Sequence, residues 1–264
     1  MQHDRHHNQH WTPWSVVVGL GEAIRFLTII PQPWLPPTHE RSALVAIPWF
    51  PAAGLVIGGL LCLAGWLAGW FWGSLVAAAL IVVSWGVITG GLHLDGLSDT
   101  FDAVVSWRSP ARKLEIMKDS RVGAMGALAL IAVLLLKVAL LAGGGAAWWQ
   151  AALLAPVLGR WAACYGIFFF PAATAGGLGR AFHDQARRAD VMVASVTTAL
   201  LATLLAGAAG LAALLAVWAA THLLAHWWTR ALGGLTGDTY GALCEIAEVV
   251  AVATLTARPI FGGG

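Results

Sequence analysis

The sequence predicts an all-α, polytopic integral membrane bundle of about seven transmembrane helices, with an N-terminal interfacial helix. Composition carries most of that expectation. Of the 264 residues, 59% are hydrophobic and only 11% are charged, where a soluble domain has about 25% charged residues. The mean hydropathy is +0.75. A single soluble core cannot hide that much apolar surface, so lipid is the natural solvent for much of the chain. The 15 tryptophans agree, because Trp concentrates at membrane interfaces.

The elements follow in chain order. Residues 1–13 read as a disordered polar tail carrying His3, His6, His7 and His10, and residues 14–264 as one membrane-embedded catalytic domain. Val16 to Ile30 holds Glu22 and Arg25 within an apolar pattern and reads as an interfacial helix, ended by Pro31, Pro33, Pro36 and Pro37. Ala43 to Gly90 is long enough for two spans, with a hairpin break near Gly69 to Ser74. Val122 to Ala142 is a third span, closed by the turn signal Gly143-Gly144-Gly145, and Ala147 to Phe170 a fourth. Val191 to Trp228 accommodates two short spans about a turn near Gly207 to Gly210, and Ala242 to Thr256 is a short seventh. This arrangement puts the 91–121, 176–190 and 230–240 connections on one side with most of the Lys and Arg, which the positive-inside rule makes cytoplasmic.

The formal net charge of +2 points to no nucleic-acid partner. Cys62, Cys164 and Cys244 are far apart and lack CxxC spacing, so neither a zinc site nor a disulfide framework is expected.

The chemistry concentrates in GGLHLDGLSDTFDAVVSW, Gly90 to Trp107. Asp95, Asp99 and Asp102 are spaced i, i+4 and i+7, which on a helix places them within roughly 60° of one another. Three carboxylates at the centre of a span would cost roughly 8–10 kcal/mol on the insertion scale, so they belong at an interface or in a wet cavity with a counter-charge. Hard oxygen ligands suit Mg²⁺, with Mn²⁺ as the alternative. A solvated acidic loop without a ligand is the competing reading. His93 reads as a supporting or core residue. In KLEIMKDSRVGAMG, Lys113 to Gly126, Lys118 and Arg121 suit phosphate oxygens and Asp119 suits a metal. The competing reading there is a basic cluster against lipid headgroups. Arg160 lies inside a span and is a candidate phosphate ligand or ion-pair partner. In GGLTGDTYGALCEIAEVV, Gly233 to Val250, Thr236, Gly237 and Asp238 form a turn at the membrane edge. They offer a second acidic and backbone contribution, or simply a helix cap. The Gly176 to Val191 loop, with Arg180, Arg187 and Arg188, reads as a positive-inside loop or as a cover for a polyanion.

RFLTIIPQP (Arg25 to Pro33), WFPAAG (Trp49 to Gly54), TGGLHLDGLSDTFD (Thr89 to Asp102), EIMKDSRVGAMG (Glu115 to Gly126), GRWA (Gly159 to Ala162) and GGLTGDTYGAL (Gly233 to Leu243) occur in this order. In these segments the chain resembles the cobalamin synthase family, adenosylcobinamide-GDP ribazoletransferases. It departs from the family's habit at Ile29, often Arg, and near Cys244, often polar. The resemblance implies transfer of the activated corrin of adenosylcobinamide-GDP to α-ribazole or its 5′-phosphate, with GMP released. It also implies Mg²⁺ dependence and a multi-pass protein of the bacterial inner membrane. On that basis Asp95, Asp99 and Asp102, with Asp119 and Asp238, are expected to hold metal, and a carboxylate, Asp102 by preference, to take the acceptor's proton. Lys118, Arg121, Arg160, Thr236 and Gly237 are expected to bind substrate. The lipid bilayer and both substrates are the expected partners, with other nucleotide-loop assembly enzymes and a second copy of the chain as further candidates. Two alternatives stand beside this. A CDP-alcohol phosphotransferase-like lipid enzyme shares the metal logic, but the DxxDGxxAR pattern is incomplete here. A divalent-cation transporter would place its acids nearer the bilayer midplane.

Overall fold

The computed structural model describes residues 13–35 and 43–257. The expected polar tail lies outside the described residues except for Pro13, as do Pro36 and Pro37. The helices are α1 (Pro13–Leu27), α2 (Phe50–Gly69), α3 (Ser74–Ile88), α4 (Leu92–Val104), α5 (Pro110–Ile116), α6 (Ala124–Gly143), α7 (Trp148–Phe169), α8 (Leu178–Gln185), α9 (Arg188–Leu232) and α10 (Gly237–Thr256). A 3-10 segment, Ala43–Trp49, leads into α2. Among the described residues there is no strand, only an isolated parallel bridge between Ala172 and Leu235.

Turn chemistry sets the boundaries. The expected break separates α2 from α3 between Gly69 and Ser74. Gly145, at φ 54°, turns the chain after α6. Gly90 and Gly91 both take left-handed φ values, 60° and 69°, which only glycine adopts readily. They bend α4 by 90° from α3. Gly207 (φ 56°, ψ −130°) interrupts α9. A Cβ on Gly210 would lie 2.0 Å from the carbonyl oxygen of Ala202, so the two arms of α9 fold back on each other there.

The expected seven spans are replaced by five helices long and apolar enough to cross a membrane, or six when α3 and α4 count as one bent span. The difference has two sources. At 15 residues α3 is short of the ~20 needed to cross alone, and α9 counts once in that total although Gly207 folds it into two arms, as expected of two short spans with a turn near Gly207 to Gly210. α1, also 15 residues long, is not among the spanning helices.

Burial orders the bundle. In α7 78% of the spanning window is buried and in α10 67%, against 28% in α6 and 22% in α9. Thus α7 and α10 form the core, while α6 and α9 turn Leu128, Ile131, Leu135, Leu200, Leu204 and Leu215 outward. Such faces suit lipid rather than water. The chain is therefore an all-α integral membrane bundle.

Candidate active site

The site begins where α4 crosses α10. Gly96 faces the backbone of Asp238, and an added Cβ would come within 2.7 Å of the Asp238 carbonyl oxygen. Gly241 lies against His93 in the same way, at 3.2 Å. This close approach sets the acidic face of α4 beside the first turn of α10. Asp95 is exposed, Asp99, Asp102 and Asp238 are half-buried, and Asp99 lies in the field of the like charges Asp95, Asp238 and Asp102. Among the described residues none of these four carboxylates forms an ion pair.

The three α4 aspartates share a helix as the spacing predicts, but their surroundings differ. Asp102 is tied down. Its carboxylate accepts hydrogen bonds from the backbone N–H groups of Gly123 (2.7 Å) and Gly126 (2.8 Å). These are two of the donors that a helix start leaves unpaired, so Asp102 caps α6 from another helix. Both positions need glycine, since a Cβ on either would lie 2.4 Å from an Asp102 oxygen.

At α10 the cap is Thr236. Its hydroxyl accepts from Thr239 N–H (3.2 Å), while the Thr239 hydroxyl accepts from Thr236 N–H (2.7 Å). Capping thus falls to Thr236 rather than to Asp238, the alternative role raised for it above. The segment before the cap is pinned by Leu235 N–H to Pro171 O (2.7 Å) and Ala173 N–H to Leu235 O (2.8 Å). That pairing brings the 174–179 loop against Thr236 and Gly237.

A cavity of about 680 Å³ opens at this junction. Asp95, Lys118, Arg160, Thr236, Gly237 and Asp238 line it, together with His93, the glycines of the 174–179 loop and an apolar wall. It therefore joins residues from α4, the α5–α6 link, α7 and α10. Asp99 and Asp102 are not part of its lining. Asp119 and Arg121 lie outside it and pair with each other at 2.6 Å. The Arg121 hydrogen bonds hold the Asp119 carboxyl down to about 2. Of the 176–191 loop the glycine end reaches the cavity, whereas Arg180 bonds Asp184 at 2.8 Å.

Arg160 is fully buried and bonds Glu248. Its Nη2 lies 3.4 Å from His93 Nδ1, and its Nε has no hydrogen-bond partner among the described residues. Arg160 lines the cavity, and a guanidinium suits an anionic oxygen. Behind it, Lys137 bonds Glu245 (2.7 Å) and Glu248 (2.5 Å) and lies 4.1 Å from the centre of the Trp85 ring. Glu245 and Glu248 are both buried, at 3% and 0% exposure. The missed signal was three ionisable residues, Lys137, Glu245 and Glu248, inside apolar spans, where charges persist only with partners.

Among the described residues no group of three or more His, Cys, Asp or Glu side chains converges as a ready metal cage. Asp95 and Asp238, two carboxylates on the cavity wall, are ligands of the type that Mg²⁺ takes. That ion takes one or two protein carboxylates, keeps several waters and completes its shell with substrate phosphates.

Fold and site together define a polytopic membrane protein with a cavity lined by Asp95, Asp238, Lys118 and Arg160. The chain belongs to the cobalamin-5-phosphate synthase family, whose model matches residues 19–256. It is 63% identical to an adenosylcobinamide-GDP ribazoletransferase of Roseiflexus sp. (strain RS-1), over 92% of this chain and 91% of that one. It is 51% identical to the protein of the same name from Herpetosiphon aurantiacus, over 92% and 97%, and 38% identical to that of Desulfitobacterium hafniense, over 86% and 92%. No solved structure gives a significant match.

Proposed function

We propose that this chain is a Mg²⁺-dependent transferase that joins adenosylcobinamide-GDP to α-ribazole, or its 5′-phosphate, and releases GMP. The observation that carries the proposal is the single cavity that gathers Asp95, Lys118, Arg160, Thr236, Gly237 and Asp238 from distant parts of the chain. The names of the family and of its relatives support the same reaction.

Asp95, Asp99 and Asp238 are the carboxylates that would hold Mg²⁺. Asp102, with both oxygens bonded to α6, and Asp119, outside the cavity and paired with Arg121, are not placed to join them. Bound there, the ion would polarise the pyrophosphate and stabilise the departing phosphate charge. The chain's own residues do the rest. Arg160, on the cavity wall, and Lys118 hold phosphate oxygens, with Arg121 meeting substrate outside the cavity. The Gly237 N–H and the Thr236 turn orient the diphosphate. A carboxylate of the acidic face takes the proton of the attacking ribazole hydroxyl. Asp102, with both oxygens engaged by α6, is less suited to that step than Asp95 or Asp99.

The catalytic unit is the membrane-embedded chain from residue 14 onward, in the bacterial inner membrane. Arg108, Arg112, Lys113, Lys118, Arg121, Arg180, Arg187, Arg188 and Arg230 fall in the 91–121, 176–190 and 230–240 connections, which also supply Lys118, the glycine loop and Thr236 to the cavity wall, so the positive-inside rule turns the cavity to the cytoplasm. The test is incubation of the purified, folded protein in lipid nanodiscs with adenosylcobinamide-GDP, α-ribazole and Mg²⁺. GMP release that requires all three is the expected result, and its absence overturns the proposal.

A further inference from the structure

Arg160 is held from two sides. Gly159, one position before it on α7, lets α10 come close, since an added Cβ there would lie 2.7 Å from Cγ of Glu248 and 2.9 Å from Sγ of Cys244. That approach brings Glu248 to the guanidinium, which bonds it. On the other side the guanidinium Nη2 faces His93 Nδ1 at 3.4 Å. Guanidinium nitrogens only donate, so Nδ1 presents its lone pair and the ring hydrogen sits on Nε2. His93 Nε2 itself has no hydrogen-bond partner among the described residues. Yet it is not one of the unpaired side-chain atoms sealed from solvent, which include Arg160 Nε and Tyr240 Oη. His93 lines the cavity, so Nε2 opens onto it. The ion pairs behind Arg160 do not account for a donor held at this place.

We propose that His93 is a further substrate-contacting residue, whose Nε2–H donates to a phosphate oxygen of the activated substrate while Arg160 fixes the ring that presents it. This rests on the transferase reading above. The occupant follows from the donors on the wall. Nε2–H can only donate, as can Lys118 and Arg160 on the same cavity, so the partner is an acceptor. The neighbouring carboxylate is badly placed for it: Asp95 is two positions further along α4, about 200° around the helix. A phosphate group offers several anionic oxygens and can accept from all three side chains at once, which a hydroxyl cannot. The role does not depend on the charge of the imidazole, because Nε2 keeps its hydrogen in the neutral form that faces Arg160 and in the protonated ring alike. Gly241 supports the placement from α10, packed under the His93 backbone where a Cβ would lie 3.2 Å from Cα.

The test compares variants that keep or remove the donor. The whole protein in nanodiscs is titrated with adenosylcobinamide-GDP in Mg²⁺, without acceptor, so that nothing turns over. His93→Gln keeps an N–H donor near the place of Nε2, whereas His93→Leu fills similar space without one. Binding within about three-fold of wild type is expected for His93→Gln, and at least ten-fold weaker binding for His93→Leu, as for loss of a hydrogen bond to a charged oxygen. The unfolding midpoint of His93→Leu should hold or rise. A packing role predicts the reverse order, so His93→Leu binding as well as His93→Gln, or better, overturns the assignment. Equal loss in both does the same. Where His93→Leu fails to fold, His93→Phe, which keeps a ring without nitrogens, takes its place. Nitrogen-15 NMR of the imidazoles, with His93→Gln identifying the His93 signals, reads the ring directly and needs no substrate. A hydrogen on Nε2 is expected, and one on Nδ1 alone overturns the assignment. The failures are separable: absence of GMP release from the wild type sinks the transferase reading, whereas GMP release with unimpaired binding in His93→Leu sinks only the role of His93.

Discussion

Arg160 and Glu248, 88 positions apart in the chain, form an ion pair with both side chains at 0% exposure. Lys137 and Glu245 extend it into a network with two charges of each sign. Burying one such ion is costly unless its partner is present. Glu248→Gln leaves Lys137 and Arg160 undercompensated and is expected to cost about 3–5 kcal/mol, seen as a lowered unfolding midpoint in detergent. The double change Lys137→Met with Glu245→Gln removes one charge of each sign and leaves Arg160–Glu248 intact. It should be milder than either single change. Additive or worse behaviour of the double variant would show that the network does not act by charge balance.

Asp102 and its neighbours predict a different signature. Asp102→Asn turns an amide N–H₂ toward one of the Gly123 and Gly126 donors, which leaves a backbone N–H unpaired. The expected loss is about 1–3 kcal/mol of stability, with activity falling alongside it. Gly126→Ala forces a Cβ to 2.4 Å from both Asp102 and Ser98, so it should separate α4 from α6 and reproduce the defect. Full stability in both variants, by thermal unfolding, contradicts the anchoring role.

Asp95 and Asp99 should behave in the opposite way. Neither forms an ion pair among the described residues, and Asp99 sits among like charges. Asp95→Asn and Asp99→Asn are therefore expected to abolish turnover while the unfolding midpoint holds or rises. A large stability loss would assign them a structural task instead.

The Asp119–Arg121 pair is a matter of titration. Arg121 holds Asp119 down to about 2, below the ordinary carboxylate value near 3.9. A depressed folded value means that the pair's contribution is present above about pH 4 and fades as pH falls toward 2. Arg121→Ala should return Asp119 to the ordinary range, measured by NMR titration of the labelled carboxylate. An unchanged titration contradicts the pairing.

Much of this was legible in the sequence for local reasons. The spacing of Asp95, Asp99 and Asp102 fixed one helical face, and α4 carries it. Gly69 to Ser74, Gly143 to Gly145 and Gly207 marked turns because glycine and short polar residues end helices wherever they fall. What stayed hidden depends on partners distant in sequence. Nothing near Glu248 announces Arg160, and nothing near Asp102 announces the glycine N–H groups of α6. The ring cluster of Phe26, Phe50 and Phe182 was equally silent, since its members come from three helices and each alone is an ordinary apolar residue. The span count differs where length is ambiguous, at the 15-residue α3, which a bend joins to α4, and at α9, whose expected turn at Gly207 lies within one continuous element.

The central claim is that one acidic cavity carries out GMP-releasing transfer. The most direct measurement is GMP release by the wild type and by Asp95→Asn and Asp99→Asn, all in nanodiscs with adenosylcobinamide-GDP, α-ribazole and Mg²⁺ and matched for unfolding midpoint. Release by the wild type and loss in both variants is the predicted result. Release that persists in both folded variants would contradict it.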